Sequence, residues 1–356
     1  MPDRPAVIDT DGHLLERQSD IRKYLAPPWD RRDTGLWTSD QPWDTELFGT
    51  LGYGDQYRRG MSPAEQVDVW HQVMDREGIE TAVLFPSGSG NVAKLLEPAF
   101  QLAVARACND HFAKEYNARS NRIKAVGVLP MRQPEEAARE LRRAVEELGL
   151  ISFEILSMGL PFGLGDSFYD PIYAAAQELG VPLCIHGNRN AFYELGGSQF
   201  KTFGEVHTFV FPAGVMLHFT SVLWNAVPLR FPGLKLAFLE AGATWLPYFL
   251  DRLDEHWELR GAYEAPHLSK KPSVVFRESP IFVHGEAEES MLGEVVNRLG
   301  DDHFIYASDF PHWDAEFPAN IDKLWKRPDL STESKIKFLS GNARVLFGLR
   351  APASVG

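Results

Sequence analysis

Acidic and imidazole side chains recur at the ends of short β-branched runs, and together they would suit a metal centre. Asp9, Asp11 and His13 lie in AVIDTDGH, His186 in VPLCIHG, Glu240 in LKLAFLEAG, His284 in SPIFVHG, and Asp309 with His312 in HFIYASDFPH. Asp11 and His13 have the period-two spacing that points two side chains of one strand the same way. With His186 and Asp309 they make two imidazoles and two carboxylates, a mixed set suited to zinc, manganese or ferrous iron. Glu240 either completes that shell or acts just outside it. Taken singly, each residue has a plainer reading, as a hydrogen-bonded core histidine, a turn-capping aspartate or an acid at a helix start. Converging on one point they would repel one another or stay unsatisfied without a cation.

Eight runs could supply the strands that bring these residues together: 6–12, 78–86, 122–130, 150–157, 181–187, 234–242, 279–285 and 303–311. Several are almost continuously apolar, as strands buried on both faces of a parallel sheet should be. Helical patterns such as PEEAARELRRAVEELG and DPIYAAAQELG alternate with them. Repeated β-α units without a Gly-rich dinucleotide loop after the first strand predict an α/β fold of the (β/α)8 TIM-barrel type, whose chemistry sits at the C-terminal strand ends. Residues 14–77 and 188–233 are longer than a crossover needs. They read as insertions after strands one and five, within a single domain spanning 1–356, that cover the active face or make subunit contacts.

Composition narrows the partners. Among 356 residues, 36 Lys and Arg face 49 Asp and Glu, a formal charge of −13, with no dense basic stripe to hold nucleic acid or an anionic membrane. The N-terminal MPDRPAVIDTDGH lacks the apolar core of a signal peptide, so a cytoplasmic protein is expected. Cys108 and Cys184 lie far apart in apolar runs and read as buried thiols. A metal site in this chain must therefore be built from histidine and carboxylate.

Five segments in order, IDTDGH, VPLCIHGN, RFPGLKLAFLEAGATWLPYFLDRLDE, GDDHFIYASDFPHWD and KFLSGNARVLFGL, resemble the amidohydrolase superfamily. The resemblance is to its amidohydrolase-related branch of metal-dependent decarboxylases, acting on aminocarboxymuconate semialdehyde, γ-resorcylate or carboxyvanillate. It implies a barrel of the metal-dependent hydrolase type holding one divalent ion, zinc first and manganese or iron next. It implies Asp11, His13, His186 and Asp309 as ligands, with a carboxylate at the first position where many members have histidine. Glu240 falls where the family usually carries a histidine, and is either ligand or proton-transfer group. Arg252 matches an arginine that reaches a neighbouring subunit's site to hold a substrate carboxylate, against a plain reading as a surface ion pair with Asp251 or Glu255. His218 matches a histidine seen near the site in this branch. A homodimer or higher oligomer is implied.

Other positions are candidates for the pocket. His312 could line the mouth, Trp245 could touch substrate, and Trp29, Trp37, Trp43, Phe192, Trp224 and Trp313 could form an aromatic wall. His284 and Glu286 stand further out. The favoured reaction is nonoxidative decarboxylation of an aromatic or unsaturated carboxylic acid, with Asp309 or a nearby histidine protonating the ring carbon. The alternative is hydrolysis or hydration of an amide, ester or lactone, with Asp309 as base and Glu240 or His218 as shuttle. A catalytically silent binding barrel is a remote third reading. No lysine ends strand four, where Phe153, Glu154 and Ile155 stand, which disfavours a lysine-bridged pair of metals.

Overall fold

The structure, a computed structural model, describes residues 4–34, 36, 60–188 and 195–350. Nine strands follow in chain order: β1 (Val7–Leu14), β2 (Ile79–Pro86), β3 (Ile123–Ala125), β4 (Gly127–Val128), β5 (Phe153–Leu156), β6 (Leu183–His186), β7 (Leu236–Phe238), β8 (Ile281–His284) and β9 (Phe304–Ile305). They form two parallel ladders, β1-β2-β3 and β4 through β9 in sequence order. One residue, Val126, separates β3 from β4. Its amide donates to Leu84 O while that of Gly127 donates to Ser152 O, so the run expected at 122–130 passes from one ladder to the other. At the opposite edge, Thr10 N donates to Tyr306 O, Asp309 N to Asp11 O and His13 N to Phe310 O, joining the chain after β9 to β1. The result is a barrel of the TIM type, with the expected eighth strand reduced to a two-residue ladder followed by irregular contacts.

The interior follows from strand alternation. Ile8, Val83, Phe85, Val126, Cys184, Ala237, Leu239, Phe282 and Ile305 form one buried cluster, which the helix Asn342–Phe347 joins through Ala343, Leu346 and Phe347. Apolar side chains fill the barrel, and polar ones are left to its C-terminal end. A larger cluster packs the surrounding helices against the outside of the strands. Both cysteines are free and buried, as expected.

Local chemistry sets the elements that carry the site. β1 is buried throughout, and a bulge between Asp9 and Gly12, where Asp9 pairs with Ala82 and Gly12 with Leu84, bends it beneath Asp11. Gly12 has to lack a side chain because the Trp70 ring occupies the place of its Cβ, and Trp70 Nε1 donates to His13 O at 3.3 Å. Trp70 sits on the helix Pro63–Glu77, which opens with a Ser62–Glu65 capping box and closes at Gly78 with φ of 69°. The first long connection thus contains an ordinary crossover helix.

The second long connection contains the helix Phe203–Trp224, capped by Thr202 and Glu205. It is long and apolar enough to cross a membrane by length and composition, with a mean hydropathy of 1.4. Here its Val206, Val210, Val215, Phe219, Val222 and Leu223 face is buried against the fold, while Phe209 and Leu217 are exposed.

Candidate metal centre

Five side chains from four strand ends meet at one place. His13 Nε2 lies 3.5 Å from Asp11 Oδ1, 3.2 Å from Glu240 Oε1 and 3.0 Å from Asp309 Oδ1. His186 Nε2 lies 3.4 Å from Asp11 Oδ2 and 3.3 Å from Glu240 Oε1. Donor atoms of Asp11, His13, His186 and Glu240 all fall within 4.8 Å of one another, and so do those of His13, Glu240, Asp309 and His312. Glu240 and Asp309 have φ of 53° and 52°, left-handed values that cost a side-chain-bearing residue roughly 1–2 kcal/mol. Such strain persists where the surroundings over-determine it, and it collects at functional sites.

Carboxylates that accept backbone amides hold these loops in place. Asp9 accepts from Ser308 N at 2.9 Å and from Ser308 Oγ at 2.6 Å, fixing the residue before Asp309. Glu289 accepts from the amides of Ala243, Thr244 and Glu286 and from Thr244 Oγ1, which ties down the turn after Glu240. Glu16 accepts from the amides of Ser87, Gly88 and Ser89 at 3.1, 2.9 and 2.5 Å, gathering the loop that follows β2. Glu16 and Glu289 escaped the sequence reading because each lies in a loop, where only the fold brings its backbone partners within reach. Glu16→Gln removes the charge from three hydrogen bonds and is expected to cost about 2 kcal/mol of stability in urea unfolding. An unchanged midpoint would contradict this role.

The electrostatics ask for a positive ion. Both Asp11 oxygens, His186 Nε2 and Glu240 Oε2 are buried without a hydrogen bond among the described residues, although each faces an opposite charge or an imidazole. Burial alone would strip the proton from His13, but hydrogen bonds to Asp309 and Glu240 and the charge of Asp11 push it up to about 10. His186 is likewise driven well above its ordinary value: burial opposes the proton, and Glu240 and Asp11 outweigh burial. Burial would raise Glu240, yet the charge of His186 and the hydrogen bond from His13 hold it well below the usual range. These residues attract positive charge strongly, and as hard oxygens and imidazole nitrogens within a few ångströms they fit one divalent cation. Asp11, His13, His186 and Glu240 would hold it, with Asp309 and His312 on the more exposed side.

Glu154, at the end of β5, is different. Burial pushes its carboxyl up to about 8, against the pull of His186 and His13, so it is neutral near pH 7. Its Oε1 stands 3.9 Å from His186 Nδ1, which instead donates to Gly187 O at 2.8 Å.

The remaining sequence candidates divide. His312 joins the group: its ring stacks on His13 at 3.8 Å and its Nδ1 lies 2.7 Å from Asp309 Oδ1. His218 does not, and the proton-shuttle expectation is corrected. Its Nδ1 accepts from Leu164 N and its Nε2 donates to Ser157 O, so both nitrogens are committed to backbone and the ring anchors loops. Trp245 is also a packing residue: its Nε1 donates to Gly242 O and its ring meets Phe219 edge-on. Arg252 is exposed on the helix Leu246–Glu264 and pairs with Glu255 at 2.8 Å, while Asp251 pairs with Arg298. His284 is buried behind the cluster, 3.6 Å from Glu286.

Of the aromatic candidates, Trp313 stands beside the site, in ring contact with Phe203 and His207. Phe211, one turn on from His207, lies over Gly187, the residue after His186, and takes the space a Cβ would need. Trp29 packs on Phe100, and Trp224 packs against the core. Trp37, Trp43 and Phe192 lie outside the described residues.

Comparison with known proteins agrees with this geometry. The chain is 27% identical over 287 residues to the 2-amino-3-carboxymuconate-6-semialdehyde decarboxylase of Dictyostelium discoideum, covering 79% of this chain and 76% of that one. An amidohydrolase from Mycobacterium avium subsp. paratuberculosis K-10 superposes with a TM-score of 0.79 at 19% identity, over 97% of this chain and 100% of that one. A dihydroxybenzoic acid decarboxylase from Polaromonas sp. JS666, solved with manganese and the inhibitor 2-nitroresorcinol, superposes with a TM-score of 0.70 at 20% identity over 98% of both chains. Residues 8–349 match the amidohydrolase family model, so the chain belongs to the amidohydrolase family that its strand-end ligands and barrel had indicated.

Proposed function

We propose that this protein is a metal-dependent, nonoxidative carboxy-lyase acting on an aromatic carboxylic acid. The observation that carries the proposal is the meeting of Asp11, His13, His186 and Glu240 within 4.8 Å, with Asp309 on the solvent side of His13. Relatives named for decarboxylating γ-resorcylate and a structural neighbour named for decarboxylating dihydroxybenzoic acid support it. A divalent ion held by Asp11, His13, His186 and Glu240 would supply Lewis acidity toward a substrate carboxylate.

The protein's own part is proton delivery and positioning. Asp309 is 19% exposed where Asp11 is fully buried, so it is the carboxyl placed to reach substrate. It gives a proton to the ring carbon that bears the carboxylate, the carbon–carbon bond breaks, and carbon dioxide leaves. Asp9 and Ser308 fix the loop carrying Asp309, and Glu289 fixes the turn carrying Glu240. Phe211, packed against Gly187 after His186, and Trp313, in ring contact with His207, would offer an aromatic substrate an apolar surface.

Manganese is favoured over the zinc first expected, because the dihydroxybenzoic acid decarboxylase of similar fold was solved with manganese. Assembly as a homodimer draws support from two exposed stripes, Phe209 with Leu217 and Tyr248 with Leu259 and Tyr263, the second on the helix face that carries Arg252. The free cysteines accord with a cytoplasmic home.

The reading is tested by incubating manganese-loaded protein with hydroxybenzoates, and separately with esters, amides and lactones, in oxygen-labelled water. Carbon dioxide release with no solvent oxygen in the product is expected; hydrolysis of the second set alone would overturn the reading. Arg252→Ala should raise KM for a carboxylate substrate by about tenfold or more. Mixed with Asp309→Asn protein it should recover about a quarter of wild-type activity if subunits share sites. No recovery on mixing would remove Arg252 from the neighbouring site.

A further inference from the structure

His312 is the unusual member of the cluster. The other imidazoles, His13 and His186, come from strands and are almost completely buried, whereas His312 comes from the loop after Asp309 and is 29% exposed. Its ring lies on that of His13, nearly parallel at 27°, which directs its Nδ1 toward the same carboxylates that face His13 Nε2. That atom is 2.7 Å from Asp309 Oδ1 and 3.9 Å from Glu240 Oε1. Among the described residues its Nε2 has only a long contact, 3.4 Å, with Ser87 Oγ. The loop is held by His312 N donating to Asp309 O, so backbone and ring stacking together place the nitrogen.

The consequence is two overlapping donor sets. One, Asp11, His13, His186 and Glu240, is sealed inside; the other, His13, Glu240, Asp309 and His312, shares two residues with it and faces the mouth. We infer that His312 is a third imidazole donor to the cation, on the solvent side, occupying the face that an incoming ligand must use. A loop residue with a weakly held second nitrogen and partial exposure can leave that face more readily than the strand residues His13 and His186. His312 therefore keeps the ion satisfied when no substrate is present and yields its place to a chelating aromatic ligand. This inference rests on the metal-site reading and not on the reaction assigned to it.

The test counts nitrogens on bound manganese by electron spin-echo modulation. Wild-type protein should show three coordinated imidazole nitrogens, from His13, His186 and His312, and His312→Phe should show two. Phenylalanine keeps the ring stacked on His13, so a change traces to the nitrogen and not to lost packing. Manganese affinity of His312→Phe should fall about tenfold. Saturating wild type with 2-nitroresorcinol should also bring the count to two. Two nitrogens in wild type, unchanged in His312→Phe, would overturn the inference, and so would three that persist with 2-nitroresorcinol bound. Failure of any hydroxybenzoate to release carbon dioxide would instead strike the decarboxylase reading and leave the nitrogen count standing.

Discussion

Asp309→Asn is expected to lower turnover by roughly a thousandfold, the middle of the range for loss of a general acid. Asparagine keeps the shape and one oxygen of the side chain, so the left-handed backbone at φ of 52° and the Asp309 N to Asp11 O bond should survive. Asparagine tolerates that conformation better than most residues. What it loses is a group that can bear a negative charge beside His13 and His312 in one state and carry a proton to the ring in the other. Manganese affinity should therefore weaken without vanishing, because Asp11, His13, His186 and Glu240 remain. Carbon dioxide release at saturating manganese, with metal content measured on the same sample, checks both halves. Turnover above about a tenth of wild type would remove Asp309 from proton transfer.

Acid should destabilise the protein through two histidines outside the metal centre. His218 must stay neutral because its Nδ1 accepts from Leu164 N, and burial pulls its pKa down to about 4. His111 is buried among Tyr24, Phe112 and Tyr116 with neither ring nitrogen hydrogen-bonded among the described residues. Burial takes it down to about 4 as well, with Asp20 and Glu115 opposing. The unfolded chain takes up these protons near 6.5, the folded chain only near 4, so the stability is complete above pH 6.5 and is lost as pH falls toward 4. Between about pH 7.5 and pH 5 each histidine should remove on the order of 2 kcal/mol. Urea unfolding at both pH values reads this directly. His111→Phe, which keeps the aromatic packing, should lose less than wild type; an equal loss would show that His111 does not titrate on unfolding.

Much of the site was legible because barrels put strand ends together. The apolar runs located β1, β2, β5, β6, β7 and β8 closely, and the polar residue closing a run, as with His186 and Asp11, marked the end where chemistry collects. The eighth strand is shorter than its run suggests: the sequence is apolar from Phe304 to Ala307, yet the ladder ends at Ile305, Asp309 leaves the extended conformation and the chain bonds irregularly to β1. His218 and Trp245 turn their polar atoms to backbone, and for a common reason the sequence does not show it. An imidazole or indole near a site looks the same in sequence whether its polar atoms face substrate or backbone, and here Ser157 O, Leu164 N and Gly242 O take them.

The sequence by itself determined the kind of centre this chain builds. Two distant cysteines and a set of histidines and acids closing apolar runs allow nitrogen and oxygen ligation, and period-two spacing pairs Asp11 with His13. Only the tertiary structure decided which acids face the cation and which hold the frame. Glu240 and Asp309 reach His13 through left-handed turns that no local pattern announces. Asp9, Glu16 and Glu289, with the same carboxyl group, are instead spent on backbone amides up to 299 residues away in sequence. A carboxylate's role depends on which donors burial leaves beside it, and in a barrel those donors come from other strands and loops.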